Sequence, residues 1–187
     1  MGQVVLVTGP TRSGKSEWAE QLAIATQLPV VYVATAQVDP ADTEWVSRIQ
    51  RHQQRRPADW RTYHVPLALA DFLRQQTQAQ CWLVDALGTW VANGLEQGDE
   101  VWQEHQAELL AVLPQVPGTI ILVAEETGWG IVPAYPLGRQ FRDRLGDLTR
   151  HIGAIADTVY LVTAGHALDL GRLGQRLPPA ISRPGAS

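Results

Sequence analysis

With a single cysteine, Cys81, in 187 residues, the chain has no pair to close an internal disulfide, and the composition suits a reducing compartment. Cys81 lies in an apolar run, where a small buried hydrophobe is expected rather than a reactive thiol. Long hydrophobic stretches are also missing, and the N-terminus enters a short apolar segment without a basic leader. Neither a secretory signal nor a membrane span is expected, which makes the cytoplasm the expected location. An excess of positive charge is lacking too: 15 Lys and Arg stand against 19 Asp and Glu, for a net charge of -4. That balance excludes non-specific nucleic-acid binding as the main activity, while a local cationic cluster can still hold phosphates.

What remains is a globular composition, 45% hydrophobic and 18% charged, without internal repeats. Short apolar runs rich in β-branched residues recur at Val4–Val7, Val30–Val33, Cys81–Val84, Thr119–Val123 and Thr158–Val162, the texture of strands buried on both faces. Between them fall groups at helical spacing: Trp18, Leu22 and Ala25; Trp45, Ile49 and His52; Leu69, Phe72 and Leu73; Trp102, Leu109 and Val112; Phe141, Leu145, Leu148 and Ile152. Alternating strands and helices predict an α/β domain with a mostly parallel central sheet covered by helices. Ligands of such sheets sit outside the carboxyl ends of the strands. One domain is expected over residues 1–170. The Gly- and Pro-rich stretch Glu125–Gly138 reads as a long ordered loop, and residues 171–187 as a flexible tail.

Gly9-Pro10-Thr11-Arg12-Ser13-Gly14-Lys15-Ser16 matches the phosphate-binding pattern G-x-x-x-x-G-K-[ST] between a predicted strand and a predicted helix. Glycines let main-chain N–H groups curl around phosphates, and the helix N-terminus adds its partial positive charge. Lys15 is expected at the β- and γ-phosphates, and the Ser16 hydroxyl on Mg²⁺. Asp85 ends the Cys81–Val84 run and is the matching candidate for a Mg²⁺ carboxylate. Glu125 and Glu126, at the end of the next predicted strand, are secondary candidates for metal or substrate contact.

The most basic segment of this acidic chain is Arg48-Ile49-Gln50-Arg51-His52-Gln53-Gln54-Arg55-Arg56-Pro57. On a helix, Trp45, Ile49 and His52 share one stripe flanked by Arg48. Packing or capping is the ordinary role of such a histidine, and the arginines have an ordinary reading as a solvated face. Imidazole is nevertheless a competent nucleophile toward phosphorus, and neighbouring guanidinium groups stabilise the charge that develops on a transferred group. Spacing alone leaves both readings open. His105 and His151 have no partner at metal-ligand spacing.

Taken together, several blocks resemble the bifunctional adenosylcobinamide kinase / adenosylcobinamide-phosphate guanylyltransferase family of cobalamin biosynthesis. They are Thr8–Ser16, Tyr32–Ala36, Arg48-Ile49 with His52 and Arg56-Pro57, Trp60–Thr62, Asp85–Leu87 with Trp90 and Asn93, Gly128–Pro133, and Phe141–Asp143 with Gly146. The phosphate loop alone is generic; the arginine–histidine block and Gly-Trp-Gly-Ile-Val-Pro are specific, and their order agrees. The resemblance spans about Val4 to Gly165. It implies a RecA-like P-loop NTPase fold assembled as a homotrimer, with GTP, ATP and Mg²⁺ as nucleotides and cofactor and a corrinoid, adenosylcobinamide, as small-molecule substrate. It also implies two reactions: phosphorylation of the aminopropanol hydroxyl of adenosylcobinamide, then transfer of GMP from GTP through a guanylylated histidine. By that likeness His52 is the nucleophile and acts with Lys15. Nucleotide contacts would come from residues 9–16, Ala34, Thr35, Ala36, Gln53, Gln54, Arg55, Arg56 and Asp85.

The chain departs from the family pattern where Arg51 stands for a first histidine, His64 for a glutamate, Glu125 for an asparagine, and Thr149-Arg150 for Asn-Gln. Trp129 is expected either to cover a corrin face or to anchor its loop. Two other readings remain beside the two-step enzyme: a P-loop kinase of another small molecule with a structural His52, and a nucleotide-sensing module that works through subunit contacts.

Overall fold

A computed structural model describes residues 2–37 and 56–177 of the chain. The five apolar runs all become strands: β1 (Gln3–Gly9), β2 (Val30–Ala34), β4 (Gln80–Asp85), β5 (Gly118–Glu125) and β6 (Thr158–Thr163). Two strands were not legible as apolar runs. One is β3 (Arg61–His64), whose four residues are all exposed; the other is the hairpin partner of β6, β7 (His166–Asp169). The sheet runs β3-β2-β4-β5-β1-β6-β7, with every pairing parallel except β6–β7. This is the α/β, mostly parallel architecture expected of a P-loop NTPase.

Alternation along each strand divides the core into two layers. Val4, Leu6, Val31, Val33, Trp82, Val84, Ile120 and Leu122 face one side. There they meet α2 (Leu69–Arg74), α3 (Leu87–Asn93), α4 (Asp99–Val112) and α5 (Pro136–Ile155). Val5, Val7, Tyr32, Cys81, Leu83, Ile121 and Val123 face the other side, against α1 (Lys15–Ala25). The stripes expected of α4 and α5 hold: Trp102, Leu109 and Val112 are buried, as are Leu145, Leu148 and Ile152. In α1 the expected stripe is displaced. Ala25 is exposed and Trp18 and Leu22 are half-buried, while Ala19 and Ala23 are fully buried. Two methyl groups on the inner face let this helix lie close on the strands, which keeps its N-terminus tight against the tip of β1.

Pro136 opens α5 at a position where its missing N–H costs nothing. That ends the expected loop before Gly138, which is helical. Arg144, buried on α5, is tied to the Gly94 carbonyl at 3.0 Å, the Gln97 carbonyl at 2.9 Å and Asp99 Oδ1 at 2.9 Å. The charge is thus matched by three acceptors, and it staples the α3–α4 connection to α5. A last helical turn, α6 (Leu170–Leu173), capped by the Asp169 carboxylate, runs past the expected start of the tail. Arg176 beyond it donates to the Ala156 carbonyl at 2.8 Å. Residues 178–187 lie outside the described ones.

Candidate active site

Strand register sets the site. Gly9 pairs with Glu125, Val123 with Asp85, Asp85 with Ala34, and Ala34 with His64. Five strand ends therefore lie along one edge of the sheet, the carboxyl edge, and carry the predicted residues there, as expected for this class.

The phosphate loop leaves β1 at Gly9, where no side chain fits. A Cβ there would stand 2.2 Å from the Val162 carbonyl oxygen and 2.7 Å from Ser13 Oγ. At the other end of the loop Gly14, with φ 91°, turns the chain into α1 from the left-handed region, a conformation that glycine adopts without strain. No side chain caps the first turn of α1, so its N–H groups remain directed toward the loop, an arrangement that favours an anion. Among the described residues Ser13 Oγ and Thr8 Oγ1 are buried without a hydrogen-bond partner. Orphaned buried hydroxyls in a curl of this shape are what bound phosphate oxygens would satisfy. Lys15 is the only lysine in the chain. It is 9% exposed, and its Nζ reaches the Pro10 carbonyl at 3.4 Å, inside the loop.

Ser16 and Asp85 meet as expected, with Ser16 Oγ 3.4 Å from Asp85 Oδ1. The second Asp85 oxygen accepts from the Tyr32 hydroxyl at 3.0 Å. A hydroxyl and a carboxylate side by side form a hard oxygen pair that suits Mg²⁺, which takes few protein ligands and completes its shell with phosphates and water. Among the described residues no cluster of three or more His, Cys, Asp or Glu could hold a metal by itself.

Tyr32 is a residue that sequence reasoning placed only within a strand. Burial, and after it the Asp85 carboxylate, hold its hydroxyl well above the ordinary phenol range, so it stays a proton donor that orients Asp85. Its ring carries Arg56, whose guanidinium carbon lies 3.2 Å from the ring centroid, a cation–π contact. The last arginine of the basic segment is thereby fixed at the tips of β2 and β4, beside the Ser16–Asp85 pair. The signal that could have found Tyr32 was its place: the aromatic residue two positions before the end of a strand neighbouring Asp85.

Other predicted residues divide. Thr35 is fully buried and its hydroxyl bonds the Ala86 carbonyl at 2.6 Å, with Thr89 as a second partner. Asn93 Nδ2 donates to the Thr35 and Pro66 carbonyls at 2.8 and 2.9 Å. Thr35 thus holds the β2 tip in place, and any nucleotide contact from it would use the main chain. Ala34 ends β2 on the site edge, with Ala36 two residues on. Glu125 is half-buried at the tip of β5, where its Oε2 accepts from the Gly88 amide at 2.9 Å. Burial raises its carboxyl above the usual range, partly offset by Lys15. Glu126 instead turns its own loop, Oε1 accepting from the Gly128 amide at 2.6 Å. His64 is exposed at the tip of the edge strand, and His151 on α5 bonds the Asp147 carbonyl at 2.9 Å. Trp129 is 63% exposed, so it does not anchor its loop. His52, Gln53, Gln54 and Arg55 lie outside the described residues.

Residues 5–170 match the family described as cobinamide kinase / cobinamide phosphate guanyltransferase. The bifunctional adenosylcobalamin biosynthesis protein CobP of Pseudomonas aeruginosa is 44% identical over 167 residues, covering 88% of this chain and 95% of that protein. The CobU proteins of Salmonella typhimurium and Escherichia coli, which carry the same description, are 36% and 34% identical, covering 87% of this chain and 96% of each relative. A solved structure from Pyrococcus horikoshii OT3, 8% identical, superposes with a TM-score of 0.58 over 90% of this chain and 86% of its own. At that identity the likeness concerns the fold alone.

Proposed function

The chain belongs to the cobinamide kinase / cobinamide phosphate guanyltransferase family, and from that premise we propose that it phosphorylates adenosylcobinamide and then transfers GMP from GTP to the product, giving adenosylcobinamide-GDP. The observation that carries this reading is the convergence, on one edge of the sheet, of the Gly9–Ser16 curl, the Ser16–Asp85 pair and the Arg56 guanidinium.

In the kinase step the main-chain amides of residues 9–16 and Lys15 hold the triphosphate of ATP or GTP. The substrate hydroxyl attacks the γ-phosphorus, and the β–γ bridging oxygen leaves with the nucleoside diphosphate. Preorganised donors are worth most where charge develops, so Lys15 acts on both ground state and transition state. Ser16 and Asp85 would hold Mg²⁺, which supplies charge neutralisation across the phosphates when bound. Tyr32 keeps Asp85 turned toward Ser16.

In the second step a nitrogen of His52 attacks the α-phosphorus of GTP and pyrophosphate leaves. An oxygen of the corrinoid phosphate then displaces the imidazole. Splitting the transfer this way replaces one difficult displacement with two easier ones. Arg56 is the fourth residue after His52 in sequence, and that length of chain spans at most about 14 Å, which supports access of the imidazole to this edge. Arg55, Arg56, Gln53 and Gln54 would bind the nucleotide around it. We place the protein in the cytoplasm as a homotrimer; no helix among the described residues is long and apolar enough to cross a membrane.

The test is incubation with GTP radiolabelled at the α-phosphorus. Label that survives alkali, is released by acid and disappears in His52→Ala is expected. A protein that binds GTP and never becomes labelled would sink the transferase half. Sedimentation of the purified chain tests the trimer.

A further inference from the structure

The segment between β5 and α5 exposes more large apolar surface than any function assigned so far uses. Trp129 is 63% exposed, Ile131 96%, Val132 61% and Tyr135 64%. Single exposed hydrophobes are ordinary, but four within seven residues form a patch of the kind that marks a binding site. The loop is also held still. Arg139 Nη1 donates to the Pro133 carbonyl at 3.1 Å and the Ala134 carbonyl at 2.6 Å. Arg142 donates to the carbonyls of Gly128 and Gly130, and Glu126 accepts the Gly128 amide. Polar side chains are thus spent on the loop's own backbone, and apolar side chains are what it offers outward.

Its position says what it is offered to. The chain enters this loop directly from Glu125, which pairs with Gly9, and the Glu126 amide donates to the Gly9 carbonyl at 2.8 Å. The apolar patch and the phosphate cradle therefore spring from adjacent strand tips. We propose that the Gly128–Tyr135 loop is the platform on which the corrinoid substrate rests one face of its macrocycle, with Trp129 as the principal contact. The proposal rests on the substrate assigned above and names the surface that recognises it. In that substrate the reacting hydroxyl sits on a short side arm of a broad ring. For the arm to enter the phosphate edge, the ring must lie beside the cradle and not within it, on a surface that is broad, flat and apolar. A tryptophan face answers that need, and stacking on an aromatic platform is worth a tenfold to hundredfold in affinity for a flat partner, about 1–3 kcal/mol. A second copy of this chain seated on the same loop would leave the ring without an apolar support next to the transferred phosphate, which is why the substrate is the chosen occupant.

The experiment is equilibrium dialysis of cobinamide, followed by its visible absorbance, against the full-length protein and its variants. Trp129→Ala, alone and combined with Ile131→Ser, is expected to weaken corrinoid binding at least tenfold. Trp129→Phe should keep it within about threefold, the retention expected when one flat ring replaces another. Triphosphate affinity and sedimenting mass should not move. Unchanged corrinoid affinity in both alanine-containing proteins would overturn the platform while leaving the enzyme reading in place. A drop in sedimenting mass would overturn it in favour of a subunit contact. A wild-type protein that is labelled by GTP and yet retains no corrinoid would defeat the substrate assignment, and the platform with it.

Discussion

Two loops leave neighbouring strand tips, and they are built on opposite plans. From β1, residues 9–16 turn from Gly9 through Gly14 into the uncapped N-terminus of α1, with the lone lysine buried beside the turn. From β5, residues 128–135 have carbonyls tied down by two arginines and apolar side chains turned out. The first recognises with its backbone and needs glycine where any Cβ would collide. The second recognises with side chains and uses Arg139 and Arg142 to hold its backbone still. In the proposed scheme a single sheet edge would serve two very different chemical partners, an anion and a broad apolar ring, without the two sites sharing a contact residue.

The sharpest way to break this division is at Lys15. Lys15→Ala is expected to weaken triphosphate binding by at least tenfold, the loss expected for a buried charge-assisted contact, about 1.5–3 kcal/mol. Cobinamide affinity measured without nucleotide should stay unchanged, and loss of both would show that the sites are one. Next in size is Arg142→Ala, which frees the carbonyls of Gly128 and Gly130. Amide hydrogen exchange over residues 128–135 should accelerate about tenfold, while residues 9–16 keep their protection in bound nucleotide; equal acceleration in both loops would contradict separate support.

A smaller effect concerns Glu125, which touches neither loop's ligand in the proposed scheme. Its folded carboxyl titrates above the unfolded value of 4.5 because burial disfavours the charge. The stability it lends is full below that value and is lost as pH rises through the raised folded value. Glu125→Gln, which keeps an acceptor for the Gly88 amide, should therefore raise the melting temperature at pH 7, with the gain shrinking toward pH 4. A gain independent of pH would mean that burial of the charge is not the cause. The smallest effect is at Cys81, whose thiol burial pushes up to about 11. Iodoacetamide at pH 8 should leave the native protein unmodified and label it only after unfolding.

The sequence was most legible where local chemistry and topology coincide. The glycines, the lysine and the serine of residues 9–16 have meaning only between a strand and a helix, and both neighbours could be read from their apolar runs. It was least legible where a residue's role comes from a strand it does not belong to. Arg61–His64 is a strand because β2 offers it a free edge, not because of its own pattern. Tyr32 reads as one more strand aromatic until β4 sets Asp85 beside it. Arg144 looks like a surface charge on an amphipathic helix, and only the α3–α4 connection, some fifty residues away in sequence, turns it inward. Trp129 stood between two roles, and exposure decides against anchoring because the anchors are the arginines downstream.

The two neighbours of β1 are β5 and β6, drawn from residues 118–163. During synthesis the segment that carries the Gly9–Ser16 loop is made well before both of its strand partners. Until then a run of Val and Leu with both edges open is exposed to the cell. Such long-range pairing makes folding slow and invites aggregation. Nucleotide capture is therefore a late event for the growing chain, so a ribosome-bound fragment ending near residue 117 should depend on chaperones to stay in solution.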